Sequence, residues 1–259
     1  VFYDLSALNL VLLGLAMFSA GFVDAIAGGG GLIQTPAMLL SFPNSNPVSV
    51  VATSKTAAFF GTTTAALKYR KSIKTDPKLL LAMVIPAFIG ACFGALLASH
   101  VSPDGFKKAI FFMMIAIFFY TLMKPDLGKV HVEKHSQRKL LVIGSIAGTV
   151  IGFYDGLIGP GTGTMLMISL VAIMGFAFVG ASAIAKVVNA TTNLASIIVV
   201  GFRLGIMWKL GLLLGIANLA GGYLGSHLAI KKGSNFVRFF YLFVTALLIL
   251  RLGYSLFLE

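Results

Sequence analysis

Two lysines and two aspartates lie inside apolar stretches of this chain. An ionised side chain there is expensive, so a functional role is the default reading. Lys55 and Lys186 sit eight to ten residues into long apolar segments. On a helix rising 1.5 Å per residue, that places them more than about 10 Å deep. Asp24 and Asp155 are the only acids within the apolar stretches, and each precedes a glycine-rich break by one turn. The first break is Gly28-Gly29-Gly30-Gly31, and the second is Gly159-Pro160-Gly161-Thr162-Gly163. A helix does not continue cheaply through such a run, because each Gly costs about 1 kcal/mol against Ala. In lipid, a broken helix is tolerated only where it faces protein or a water-filled cavity. Backbone N–H groups freed at a break favour an anion.

These residue types offer charge recognition at membrane depth. The lysines either meet a substrate or coupling group, or form structural pairs with the aspartates. The aspartates pair with lysines, take protons or cap freed backbone, and the sequence leaves the three roles open. Lys186, Asn189, Asn193 and Ser196 are spaced by three or four and share one helix face, with Thr191 and Thr192 beside them. The corresponding segment of the first half offers Lys55, Thr62 and Thr63, with Thr53 and Thr56 nearby. A polar stripe in a membrane helix bonds a neighbouring helix or lines a path, and the lysine favours the path.

The elements that carry these residues must cross a bilayer. Hydrophobic residues make up 58% of the 259 and charged residues 11%, whereas a soluble domain needs about a quarter charged. Apolar stretches near the 20 residues that span a hydrocarbon core recur along the chain. The expected class is an all-α polytopic membrane protein. The net charge of +12 comes largely from short loops between apolar segments, which is the positive-inside pattern and not a nucleic-acid surface. Cys92 is the only cysteine, so neither a disulfide framework nor a thiolate metal site is expected. No cofactor is expected either. The first apolar run follows no basic segment and no A-x-A site follows it, so it reads as a span.

The chain repeats at an offset of 131 residues. Over Gly21–Gly31 and Gly152–Thr162, five of eleven positions are identical: Gly21, Phe22, Asp24, Gly28 and Gly30. In the same register Lys55 lies over Lys186, Gly90 over Gly221, Gly94 over Gly225 and Lys107 over Arg238. A rare acid and a rare lysine matching together point to duplication, with residues 1–123 and 140–259 as membrane repeats and 124–139 as a basic linker. Each repeat is expected to hold about four spans and a short re-entrant or broken piece, near 32–42 and 164–174. Repeats with interrupted apolar segments are the sequence pointer to a secondary transporter. Lys68, Arg70, Lys71, Lys74 and Lys78 mark one loop as cytoplasmic, and Lys124, Lys129, Lys134, Arg138 and Lys139 mark another. The favoured topology has eight spans with both termini inside. The alternative has odd spans per half and halves of opposite orientation.

On Gly21–Gly31 with Pro36, Ala52-Thr53-Ser54-Lys55, Gly152–Gly156, Gly159–Gly163, Ala185–Asn193, Lys232-Gly233 and Arg238, the chain resembles the TauE/SafE sulfite-exporter family over nearly its whole length. Ser54 stands where that family usually has Asn. The resemblance implies a transporter in the bacterial cytoplasmic membrane, exporting small sulfur-containing anions such as sulfite or organosulfonates. The residues above then become the expected anion site: Lys55, Lys186, Gly28 to Gly31, Gly159, Gly161, Thr162, Gly163, Asn189, Thr192 and Asn193, with Asp24 and Asp155 for proton coupling. A passive anion channel is the alternative. An intramembrane enzyme is disfavoured, because the spans carry no Glu and Cys92 has no His in register.

Overall fold

The computed structural model describes residues 5–42, 44–98 and 135–257, with positions 115, 119, 122 and 123 between them. The fourth span expected near 106–123, the loop before it and most of the linker lie outside the described residues. The regular elements are helices: α1 (Ala7–Ala27), α2 (Gly31–Ser41), α3 (Pro47–Ser72), α4 (Pro77–Leu97), α5 (Gln137–Leu157), α6 (Thr162–Ile168) continued by a π turn at Ser169–Ile173, α7 (Phe178–Arg203) and α8 (Trp208–Phe257). Among the described residues five are long and apolar enough to cross a membrane: α1, α4, α5, α7 and the Trp208–Phe243 part of α8. At 26 residues α3 is also long enough, but its Lys and Thr content makes it far less apolar.

Local chemistry sets the helix ends. Ser6 accepts a bond from the Asn9 N–H at 3.1 Å and starts α1. Asn46 and Asp76 accept from the N–H two residues on, at 2.9 Å each, with Pro47 and Pro77 at the first helical position of α3 and α4. Gly28, at φ +81°, closes α1 with its N–H on the Asp24 carbonyl. After Ile158 the second break repeats the device with Gly159 and Gly161, both at φ +94°. The expected loop between the last two spans is instead a bend inside α8 at Gly233, whose φ of 77° and ψ of −173° interrupt one continuous element.

Small residues bring the helices together. Gly144, Gly148, Gly152 and Gly156 of α5 form a stripe at every fourth residue, facing Leu79, Met83, Ala87 and Ala91 of α4 in parallel register. A β-carbon at Gly152 would stand 2.4 Å from the Ala87 carbonyl oxygen. Gly21 of α1 meets the carbonyl of Asn218 in α8, which is the same contact 131 residues apart on both sides. Gly90 meets Thr149 and Phe153, and Gly221 meets Phe18 and Phe22, again at that offset. The outward faces carry Leu12, Ile85, Phe93, Ile146 and Phe239, all exposed, as a lipid-facing surface requires.

These contacts fix directions. α3 begins where α7 ends: Val48 and Ala52 cluster with Val199 and Val200, and the Met207 N–H donates to Thr53 Oγ1 at 3.1 Å. α4, α5 and α7 all begin at the other end, where Gln137 Nε2 lies 3.3 Å from Asp76 Oδ2 and Leu79 shares a cluster with Val179. The Gly233 bend is there too, since Ser234 Oγ accepts from the Val179 N–H. α1 starts beside α3's start, with Leu5, Phe42, Val50 and Leu210 in one cluster, and α2 folds back along α1 toward it. Corresponding elements of the two halves therefore run in opposite directions. The favoured topology with both termini inside is corrected, because the start of α1 lies at the end opposite to Lys68–Lys78. The physical reason is that α2 carries the chain from the break back to the end where α1 starts, so that α3 begins there. Lys231, Lys232 and Arg238 flank the Gly233 bend, so they join Lys68–Lys78 at one end, while Arg203 and Lys209 lie at the other.

Candidate functional site

The two breaks abut at the centre of the bundle. A β-carbon at Gly28 would lie 2.3 Å from the backbone of Gly163, and one at Gly31 would lie 3.2 Å from Pro160 Cα. Only residues without side chains permit this approach. The consequence is a polar cavity walled by backbone, lined by Gly28, Gly30 and Gly31 from one break and Gly159, Gly161, Thr162 and Gly163 from the other. The expectation of freed N–H groups is not met at the start of α2: the Leu32, Ile33 and Gln34 N–H groups donate to the Gly29 and Gly30 carbonyls at 3.0–3.1 Å, which closes the first turn on the break itself.

The four ionisable residues form two cross-half ion pairs. Lys55 Nζ stands 3.1 Å from Asp155 Oδ2, donates to the Asp155 backbone carbonyl and donates to Ser196 Oγ at 2.9 Å. Lys186 Nζ lies 2.8 Å from Asp24 Oδ2. The sequence offset that relates Lys55 to Lys186 and Asp24 to Asp155 thus relates the pairs as well. All four side chains are buried, and the set is neutral. Thr162 Oγ1 donates to Asp155 Oδ1 and lies close to the Gly159 carbonyl, both at 2.7 Å, tying the acid to its own break. Of the alternatives open for the aspartates, the geometry realises pairing with the lysines.

Asn189 and Asn193 of α7 line the cavity with Lys55, Asp24 and Asp155. Lys186, Gly29 and Thr192 do not. Lys186 is sealed behind Asp24, and Thr192 donates to the Asn189 carbonyl at 3.0 Å. Sequence reasoning missed Gln34 and Thr35 of α2 and Asn218 of α8, which complete the lining with Ala58 and Thr62 of α3. Asn218 Nδ2 donates to Gln34 Oε1 at 3.0 Å and to the Met17 carbonyl at 3.1 Å, and Gln34 Nε2 reaches the Ser54 carbonyl at 3.4 Å. A β-carbon at Gly61 would fall 2.0 Å from Asn218 Oδ1. An amide in an apolar span and a Gln beside a break were the available signals. Among the described residues no group of His, Cys, Asp and Glu could hold a metal ion. The space is narrow, about 30 Å³ for the centre of a water-sized sphere, where one water needs about 10–15 Å³.

Apolar crossing helices around a buried, charged, water-sized cavity define a multi-pass membrane protein with a polar site at its centre. The chain belongs to the sulfite exporter TauE/SafE family, whose model matches residues 13–252, and is a membrane transporter of that family. It is 37% identical over 249 residues to the probable membrane transporter protein ORF9 of Sinorhizobium sp, covering 96% of this chain and 94% of that one. It is 37% identical to a probable membrane transporter protein of Haemophilus influenzae over 85% of each chain. With the probable membrane transporter protein YfcA of Escherichia coli it shares 34% identity over 98% of this chain and 94% of the other. No solved structure matches the chain.

Proposed function

We propose that the protein moves a small sulfur oxyanion, sulfite or an organosulfonate, outward across the bacterial cytoplasmic membrane by alternating access between two inverted halves, with a proton carried through Asp24 or Asp155. The observation that carries this reading is the meeting of both breaks, Lys55 and both acids around one cavity, with Lys186 sealed behind Asp24. A cation in the wall and Asn amides suit a small oxyanion, and a neutral resting set keeps the empty site stable in lipid. The same cavity holds water but not a sulfonate, so loading requires the α1–α2 and α5–α6 hairpins to part. A transporter and not an enzyme fits a cavity whose titratable groups are spent on ion pairs. Purified protein in liposomes should accumulate sulfite against its gradient when a pH difference is imposed. Equilibration without accumulation would mean a passive anion channel, the second reading.

Lys55→Met should weaken oxyanion binding tenfold or more, on the order of 1.4 kcal/mol, because the ammonium faces the cavity away from screening solvent. Lys71→Met, at the exposed end of α3, should do little. Calorimetric titration in detergent measures both. Wild-type binding in Lys55→Met would move the site elsewhere.

The end of the bundle bearing Lys68–Lys78, the start of α5 and the Gly233 bend is proposed to be cytoplasmic, with 124–139 as its linker. Ser72→Cys and Ser136→Cys, in a Cys92→Ala background, should resist impermeant thiol reagents in intact cells. Labelling of both from outside would reverse the orientation.

A further inference from the structure

The two ion pairs match in sequence but not in what they show to the cavity. In the first pair the Lys55 side chain is 7% exposed and the Asp155 side chain 3%. In the second the Lys186 side chain is fully sealed, and Asp24 at 12% is the most exposed of the four. All but Lys186 line the cavity, and the more exposed member is the cation in the first pair and the acid in the second. We propose that the pairs divide the work: Lys55 is the group that meets the anion, and Asp24 is the group that takes up a proton as the anion binds. This rests on the anion-transport reading above, and it assigns the coupling to one acid and one stoichiometry.

The hydrogen bonds support the division. An ammonium has three N–H donors; Lys55 donates to the Asp155 carbonyl and to Ser196 Oγ, and its contact with Asp155 Oδ2, at 3.1 Å, is an ion pair without a hydrogen bond. The hydroxyl is the one neutral side-chain acceptor among them. It also donates to the Thr192 carbonyl at 3.0 Å, so it stays bonded if an anion oxygen takes its place on Lys55. Asp155 is held by Thr162 and its own break and remains in place. Asp24 bonds Lys186 through Oδ2 alone. Among the described residues its other oxygen has no hydrogen-bond partner, and the residue lines the cavity.

Charge accounting then couples the two events. The empty site is neutral, with two lysines and two carboxylates. A bound monoanion would leave one buried negative charge, beside a carboxylate that repels it at close range in low dielectric. One proton from the cavity water converts the Asp24 carboxylate to the acid, and the set plus anion is neutral again. Lys186 then stands as an uncompensated cation behind Asp24, and its field holds the anion. The charged and titratable groups around Asp24 are Lys186 from α7, Lys55 and Tyr69 from α3, and Asp155 on α5 across the cavity. α2 and α6 carry no ionisable side chain, and His227 of α8 is exposed on the outer face. Anion affinity should therefore rise as pH falls, because the proton removes the repelling charge, and binding should take up one proton.

The test uses full-length protein and methanesulfonate, whose own charge does not change near neutral pH. In wild type, affinity should rise as pH falls, by up to about tenfold per pH unit where binding takes up a full proton, and that uptake should be seen in weakly buffered detergent solution. Asp24→Asn should keep binding, lose its pH dependence and lose proton uptake, and in liposomes keep anion exchange while losing accumulation driven by a pH difference. Because Asp24→Asn leaves Lys186 unpaired, Asp24→Asn/Lys186→Gln serves as a second variant, expected to bind the anion more weakly than Asp24→Asn, since the field of Lys186 is gone, and again without proton uptake. Asp155→Glu should retain the uptake. Proton uptake persisting in either Asp24 variant overturns the assignment, as does wild-type sulfonate transport without any proton uptake. No binding or flux of methanesulfonate or sulfite in wild type overturns the transport reading and this inference together.

Discussion

Lys186→Met is expected to destabilise the purified protein by about 3–5 kcal/mol, the cost of leaving a buried charge without its partner. The ammonium is fully sealed and 2.8 Å from Asp24 Oδ2, so water cannot replace it. The loss lies in the uncompensated carboxylate more than in the pair's own attraction. Replacing both partners by uncharged residues of similar size should then recover most of it. Asp24→Asn/Lys186→Met is expected to unfold much closer to wild type than Lys186→Met does, and the double-mutant cycle should show strong coupling. Denaturant or thermal unfolding in detergent measures it. Additive losses from the two single changes would mean that the two residues are not paired in the folded protein. The same cycle on Lys55 and Asp155 should be shallower, because Lys55 keeps Ser196 and a backbone carbonyl as acceptors.

Much of this arrangement is legible in the sequence, for physical reasons that differ by residue. Asp24, Asp155, Lys55 and Lys186 stand out because charge is rare in apolar helices, and the breaks stand out because glycine runs cannot continue a helix. The short returns after each break follow from length, since α2 has 11 residues and cannot cross. What the sequence withholds is partnership. Each lysine could pair with the acid of its own half or of the other. Only the packing of α3 against α7, with the breaks abutting, selects the cross-half pairs. Direction is withheld too. Whether α2 completes a crossing depends on where Phe42 and Val50 pack, and they pack beside Leu5 at the end where α1 starts. Gln34 and Asn218 were missed because each is a lone amide, and its meaning lies in the bond between them across four helices. The positions related to them by the 131-residue offset are Met165 in the second half and Ala87 in the first, so the repeat held no second signal.

Gly28→Ala and Gly205→Ala separate the two demands that a left-handed glycine places on a fold. Both residues have similar backbone, φ +81° and +79°, and an alanine in that region costs about 1–2 kcal/mol. At Gly205, in the turn between α7 and α8, a β-carbon meets nothing within 4 Å, so that strain is the whole expected loss. At Gly28 the β-carbon would stand 2.3 Å from Gly163 C, 2.5 Å from its carbonyl oxygen and 2.7 Å from the Thr164 nitrogen. None of these atoms belongs to a side chain that could rotate away. The α1–α2 and α5–α6 hairpins would have to separate, which adds roughly 1–3 kcal/mol or more of overpacking. It would also pull apart the two cavity walls that Gly28 and Gly163 supply. Gly205→Ala should therefore leave transport near wild type with a small loss of stability, while Gly28→Ala should lose both stability and anion flux. Thermal unfolding of the two variants in detergent, followed by flux in liposomes, makes the comparison. Equal stability would mean that the breaks do not touch.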